Sequence, residues 1–367
     1  MKFNVGVLIG WLLIAPGSMA DEPIPNQGFP QNVFVITWDG YRWQELFTGA
    51  DPKLIANADY VDHIEQTRLE FWDDDDNARR KKLTPFIWSE VERNGQIYGN
   101  RTKGSRVAVS NPYVFSYPGY SEILVGYVDK GVDSNDRINN PNKTVLEFVN
   151  NQPGYQGKVV AFSSWDRFPW IINERRSGVP VNSGFENASG DNLSAVEKTL
   201  NITQHQLPKI WESVRYDTFT HQFAKEYIKK NKPRLVYISY GETDDFAHMG
   251  KYEYYLKSSR RSDELLKDLW EFTQSDEHYK NNTTFIITTD HGRGSAALDS
   301  WMHHGADQPG SEYTWLIAFG AGVKARGEVS NGQPIYAKQI ASTVAEILGL
   351  NYQSSQPVGA PILQITN

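Results

Sequence analysis

The sequence predicts an α/β fold: a doubly wound, mostly parallel sheet with helices on both faces and a cap inserted over one edge. Three observations lead there. Short apolar runs rich in β-branched residues recur along the whole chain, several of them continuous rather than alternating, as strands covered on both faces require. Segments with helical periodicity alternate with those runs, the order that crossover helices impose on a parallel sheet. Acids and histidines cluster immediately after several runs, and open α/β sheets bind ligands outside the carboxyl ends of their strands.

Taken in order, the chain begins with Lys2, an eleven-residue apolar run Val5–Ala15, and the small-x-small triplet Ser18-Met19-Ala20 ahead of Asp21-Glu22-Pro23. That is the three-part order of a secretory signal peptide, residues 1–20, cleaved after Ala20. The run is far short of the roughly 20 residues that span a bilayer, and no later segment approaches that length. The expected mature chain, 21–367, is one soluble domain, periplasmic or secreted.

Val33–Thr37 reads as the first strand. Asp73–Asp76, then Arg79–Lys82, put acids at the start of a short helix and bases one turn on, matching its dipole. Pro85–Arg93 is helical, Arg106–Val109 is a strand, and a helical run Ser121–Gly126 lies behind Pro118. The helix Thr144–Asn150 leads to the strand Lys158–Ser163. Ser177–Leu207, rich in Asn, Ser and Gly, reads as the insertion, a cap within about residues 177–215. Helix Thr218–Lys230, strand Arg234–Ser239, helix Tyr252–Thr273 and strands Thr283–Thr289 and Trp315–Phe319 complete the alternation. The last helix, Ala337–Leu348, puts Ile340, Val344, Ile347 and Leu348 on one face and stops at Gly349.

Composition excludes several classes. There are 37 basic and 44 acidic side chains, a formal charge of −7, and no basic tract that would hold a nucleic acid polymer. The apolar fraction of 39% and aromatic fraction of 13% supply a core and argue against disorder. The absence of cysteine removes disulfides, thiolate metal sites, cysteine nucleophiles and a lipidated N-terminal cysteine. Any metal must therefore be held by oxygen and nitrogen.

The chemistry-bearing residues follow the strands. Asp39-Gly40 comes after the first, Gly241-Glu242-Thr243-Asp244 through His248 after Arg234–Ser239, and Asp290-His291-Gly292 after Thr283–Thr289. His303-His304-Gly305 precedes the last strand. Singly, Asp39 fits a helix cap, Asp244 and His248 a surface ion pair, Asp290-His291-Gly292 a turn, and His303 or His304 a structural histidine. Together, carboxylate and imidazole without sulfur are the ligand set of one or two zinc-like ions in a hydrolytic site. Ser116 offers a nucleophile at a helix N-terminus, where backbone N–H groups favour an anion. No G-x-S-x-G motif surrounds it, which leaves metal coordination as its means of activation and a simple helix cap as the alternative.

These pieces, in this order from Val33 to about Gly349, resemble the alkaline phosphatase superfamily, most closely its nucleotide pyrophosphatase/phosphodiesterase-like branch. The resemblance implies two divalent metal ions, zinc favoured and manganese fitting the same ligands. Asp244, His248 and His304 would hold one; Asp39, Asp290, His291 and the Ser116 oxygen would hold the other. His304 is preferred to His303 because it supplies the family's His-Gly. Asn135 resembles the branch's phosphate-contacting asparagine. Trp165 and Tyr117 or Tyr120 are read first as core or pocket lining, and Arg137 and Arg293 first as solvated surface.

The implied activity is hydrolysis of a small-molecule phosphate ester, as phosphodiesterase or phosphatase, through a phosphoserine on Ser116. Asn135 and the N–H after Ser116 would stabilise the equatorial oxygens. A sulfatase is the nearest rival, since Ser116-x-Pro118 begins a sulfatase signature, but that signature continues to Arg where this chain has Tyr120. A phosphoglycerate-mutase-like enzyme and a non-catalytic periplasmic binding protein are the other readings.

Overall fold

The computed structural model describes Met1 and residues 31–366, so the expected signal peptide lies, Met1 apart, outside the described residues. The strands are β1 (Asn32–Trp38), β2 (Gly95–Tyr98), β3 (Val107–Ala108), β4 (Val159–Ser163), β5 (Val181–Ser183), β6 (Leu235–Tyr240), β7 (Thr283–Thr288), β8 (Tyr313–Thr314), β9 (Leu316–Gly320), β10 (Gly327–Glu328) and β11 (Ile335–Tyr336). An eight-stranded sheet has the order β10-β2-β9-β7-β1-β6-β4-β5.

β1, β6 and β7 are buried along their whole length, which is why their sequences run apolar without alternation. Successive side chains still go to opposite faces. Phe34, Ile36 and Trp38 join one core with the helices Asp217–Asn231 and Tyr252–Ser275. Val33 and Val35 join a second core with Ser116–Val125, Val145–Asn150 and Ile340–Ile347. The sheet is thus covered on both sides, as expected.

Two strands depart from expectation. β9 is antiparallel to both β7 and β2. A parallel return needs a crossover, and only a short 3₁₀ turn, Leu298–Met302, lies between β7 and the β8–β9 segment. Arg106–Val109 yields the two-residue β3, which belongs to a separate three-stranded sheet, β11-β3-β8. The main sheet instead contains β2, beside β9, a strand hidden in the sequence because Gly95 and Gln96 interrupt the apolar pattern. Asp75 caps the helix Asp76–Leu83 by accepting from Ala78 N–H at 2.8 Å, in keeping with the charge order there. Within 177–215 lie the edge strand β5 and the helix Ala195–Gln206, opened by a Ser194/Glu197 capping box and joined to the neighbouring helix by Ser194 Oγ on Glu226 Oε2 at 3.0 Å.

Register places the site. Thr37 sits opposite Thr288 on one side and Ser239 on the other, so β7, β1 and β6 end level. Asp39, Asp290 and the turn leading to Asp244 therefore emerge side by side at the carboxyl edge.

Candidate active site

Asp39 leaves β1 and is followed at once by Gly40 with φ +56°, a left-handed turn. A Cβ there would fall 2.5 Å from Asp244 Oδ1 and 2.7 Å from Arg293 Nη1, so the close approach requires glycine. Gly40 N–H donates to Asp290 Oδ1 at 3.1 Å, and Thr243 Oγ donates to the Asp39 carbonyl at 2.6 Å. Asp39 does not cap the following helix, Trp43–Thr48, which has no side-chain cap. Its Oδ2 instead accepts from the Tyr120 hydroxyl at 2.8 Å.

Ser116 is the first residue of the helix Ser116–Val125, and its hydroxyl is not spent as a cap. Its Oγ lies 3.3 Å from His291 Nε2. That nitrogen is also 3.4 Å from Asp290 Oδ2, 3.5 Å from Asp39 Oδ1 and 4.0 Å from Asp244 Oδ1. His291 Nδ1 is 2.8 Å from the Gly292 carbonyl, which can only accept, so Nδ1 carries a proton and Nε2 is the nitrogen turned toward those carboxylates. Oxygen and nitrogen atoms converging at this spacing are what a cation would join. Asp39 Oδ1 and Asp290 Oδ2 are buried with no hydrogen-bond partner, which fits the same requirement.

The second group adjoins the first. His248 Nε2 is 3.2 Å from Asp244 Oδ2 and 3.0 Å from His304 Nε2, and His304 Nε2 is 3.7 Å from Asp244 Oδ1. The His304 ring stacks on His291 with centroids 3.8 Å apart. Ligand atoms of Asp39, Asp290 and His291, and of Asp244, His291 and His304, each fall within 4.8 Å of one another, so His291 adjoins both clusters. His303 is exposed and takes no part.

Electrostatics follows from burial. Burial pushes the Asp39 carboxyl well up, and Asp290 and Asp244 push it further. Asp290 is raised by burial too. Burial also acts on Asp244, but the Arg293 guanidinium, with His248 and His304 behind it, outweighs that and holds it well below the usual carboxylate range. Burial drives the His304 imidazole well down, and His291 adds to it. The raised carboxyls of Asp39 and Asp290 and the lowered imidazole of His304 are shifts that the charge of a bound divalent cation would offset.

Three arginines resolve differently from one another. Arg293, read as solvated surface, is buried: it donates to Asp244 Oδ1 and to the carbonyls of Trp301 and Met302, both at 2.6 Å. Arg137 is exposed, as expected, and donates to Asp166 at 2.7 Å. Arg167, not singled out in the sequence, pairs with the same Asp166 and donates from Nε to the Asn135 carbonyl at 3.0 Å. Asn135 Oδ1 accepts the Tyr117 N–H at 3.0 Å, so the N–H after Ser116 is engaged rather than free, and the Asn135 Nδ2 is the donor left to face a ligand. Tyr117 and Tyr120 are core residues; Tyr120 reaches Asp39 because it stands one helical turn after Ser116, a spacing visible in the sequence.

Comparison with known proteins bears on the family and the fold. A family model described as type I phosphodiesterase / nucleotide pyrophosphatase matches residues 46–308, well over half of the chain. GPI ethanolamine phosphate transferase 1 of Homo sapiens is 30% identical over 131 residues, 34% of this chain and only 13% of that protein. Among solved structures, the alkaline phosphatase PafA superposes with a TM-score of 0.61 at 12% identity, covering 92% of this chain and 99% of that one. A putative sulfatase from Bacteroides thetaiotaomicron gives 0.59 at 11%, covering 92% and 74%. The lipoteichoic acid synthase LtaP of Listeria monocytogenes gives 0.55 at 10%, covering 92% and 76%. These likenesses establish an alkaline-phosphatase-like fold. The chain has that fold and belongs to the type I phosphodiesterase / nucleotide pyrophosphatase family.

Proposed function

We propose that the protein is a periplasmic or secreted hydrolase of small phosphate esters that works through a phosphoserine on Ser116, in one domain, 21–367, capped by 177–215. One observation carries this reading: Ser116 Oγ shares His291 Nε2 with unpartnered oxygens of Asp39 and Asp290, beside Asp244, His248 and His304. Asp244, His248 and His304 would hold one divalent ion, and Asp39, Asp290, His291 and Ser116 Oγ the other; zinc suits the donors, and manganese fits them as well. When bound, the two ions would supply the positive field that lowers the serine pKa and neutralises the departing oxygen. The signal-peptide pattern of residues 1–20 supports the location.

In the reaction, a bond forms from Ser116 Oγ to phosphorus as the bond to the departing alcohol breaks. Water then attacks phosphorus, the Oγ–phosphorus bond breaks, and phosphate leaves with the serine restored. Asn135 Nδ2 orients a non-bridging oxygen, and Arg167 adds positive charge behind it, which favours a dianionic terminal phosphate. The partial identity to an ethanolamine phosphate transferase favours a second reading, in which an alcohol replaces water in the second step. Hydrolysis of p-nitrophenyl phosphate, bis-p-nitrophenyl phosphate and p-nitrophenyl sulfate, with and without chelator and with added alcohol, separates these. Chelator-insensitive turnover, or full activity in Ser116→Ala, would refute the proposal.

A further inference from the structure

Five non-glycine residues among those described adopt positive φ: Val114, Asn173, Lys232, Asn281 and Asn331. Asparagine tolerates that region, and a β-branched residue does not, so Val114 at φ +56° is the outlier. It lies two residues before Ser116. A buried network over-determines it. Asn111 Oδ1 accepts from the N–H of Val114 at 2.8 Å and of Tyr113 at 3.2 Å. Asn111 Nδ2 donates to Glu122 Oε2 at 3.0 Å. Glu122, 1% exposed and on the same helix as Ser116, also takes the N–H groups of Ser110 at 2.9 Å and Asn111 at 2.8 Å. One carboxylate thus ties the start of the loop to the helix at its end.

The strained residue has one outward contact of chemical consequence. Its carbonyl is 3.2 Å from His304 Nδ1. A carbonyl only accepts, so Nδ1 carries the proton, and the lone pair of Nε2 turns toward Asp244 and His248. Strain held in place at a functional site is a sign that the held geometry is used.

We infer that Asn111, clamped by Glu122, is a positioning residue: it holds Val114 in the left-handed conformation so that the Val114 carbonyl fixes the tautomer and orientation of His304. The inference rests on the proposed metal-binding role of His304 and concerns residues outside the proposed ligand set. Its device is backbone conformation, so the Val114 side chain is dispensable and the Asn111 amide is not.

Equilibrium dialysis against zinc with a competing chelator, on the full folded chain checked by circular dichroism, tests it. Asn111→Ala should bind one of two zinc equivalents about 10–100-fold more weakly than the parent. Val114→Gly, which keeps the carbonyl and relieves the strain, should bind within about 3-fold of the parent, by the same measure. The affinity losses of Asn111→Ala and His304→Ala should not multiply in the double variant, because both act through one ligand. Parent-like zinc binding by Asn111→Ala, with only its melting temperature lowered, would overturn the inference alone. A parent that binds no zinc would overturn it together with the functional reading.

Discussion

The Tyr120 hydroxyl donates to Asp39 Oδ2 at 2.8 Å, while the other oxygen of Asp39 is buried without a hydrogen-bond partner and lies 3.5 Å from His291 Nε2. One oxygen is fixed by the protein, leaving the other for a cation. Tyr120→Phe removes that restraint and almost no volume. It should lower zinc affinity about 10-fold, with a comparable fall in kcat/KM, and leave the fold intact. Zinc titration beside thermal melting checks this.

Gly40 is the tightest point of the site. Gly40→Ala combines a positive φ with a Cβ 2.5 Å from Asp244 Oδ1. We expect a loss of about 1–3 kcal/mol in stability. Activity should fall about 100-fold, because displacement of Asp244 spoils the geometry of the whole centre. Urea unfolding and steady-state rates would show both.

Arg167 and Arg137 share Asp166, but only Arg167 also holds the Asn135 carbonyl. Arg167→Ala should therefore lower kcat/KM for p-nitrophenyl phosphate about 10–100-fold more than for the monoanionic bis-p-nitrophenyl ester. Arg137→Ala, at an exposed position, should change that ratio little. Equal losses on both esters would remove Arg167 from substrate discrimination.

Asp263 is buried and accepts the N–H groups of Phe86 and Ile87 at 2.8 and 2.9 Å, and burial pushes its carboxyl up to about 7. The folded state therefore keeps a proton that the unfolded chain has lost above pH about 4. Stability falls as pH rises from about 4 to about 7, by roughly 3–4 kcal/mol from this group. The stability difference between the parent and Asp263→Asn should shrink by about 2–3 kcal/mol between pH 5 and pH 8 in urea unfolding. A pH-independent difference would contradict it.

What was legible in the sequence was whatever local pattern decides. Continuous apolar runs marked β1, β6 and β7, and the acids behind them fell where register brings strand ends level. The direction of β9 was not legible, because a strand's own residues do not record which way its neighbour runs. β2 was hidden by Gly95 and Gln96. In the site, the residues that carry family motifs were visible, and of those that support them only Tyr120 stood at a telling spacing. Arg293 reads as a surface cation until Asp244, 49 residues away, is seen to neutralise it. The Val114 conformation is likewise set by Asn111 and Glu122 and leaves no mark in the valine itself.

The central claim is that Ser116 becomes phosphorylated during turnover. Acid quenching of the zinc-loaded enzyme with p-nitrophenyl phosphate, followed by peptide mass spectrometry, tests this directly. The account predicts phosphate on the peptide containing Ser116, at Ser116 itself, and none in Ser116→Ala. Rapid turnover with no phosphate on Ser116, or with hydrolysis undiminished in Ser116→Ala, would contradict it.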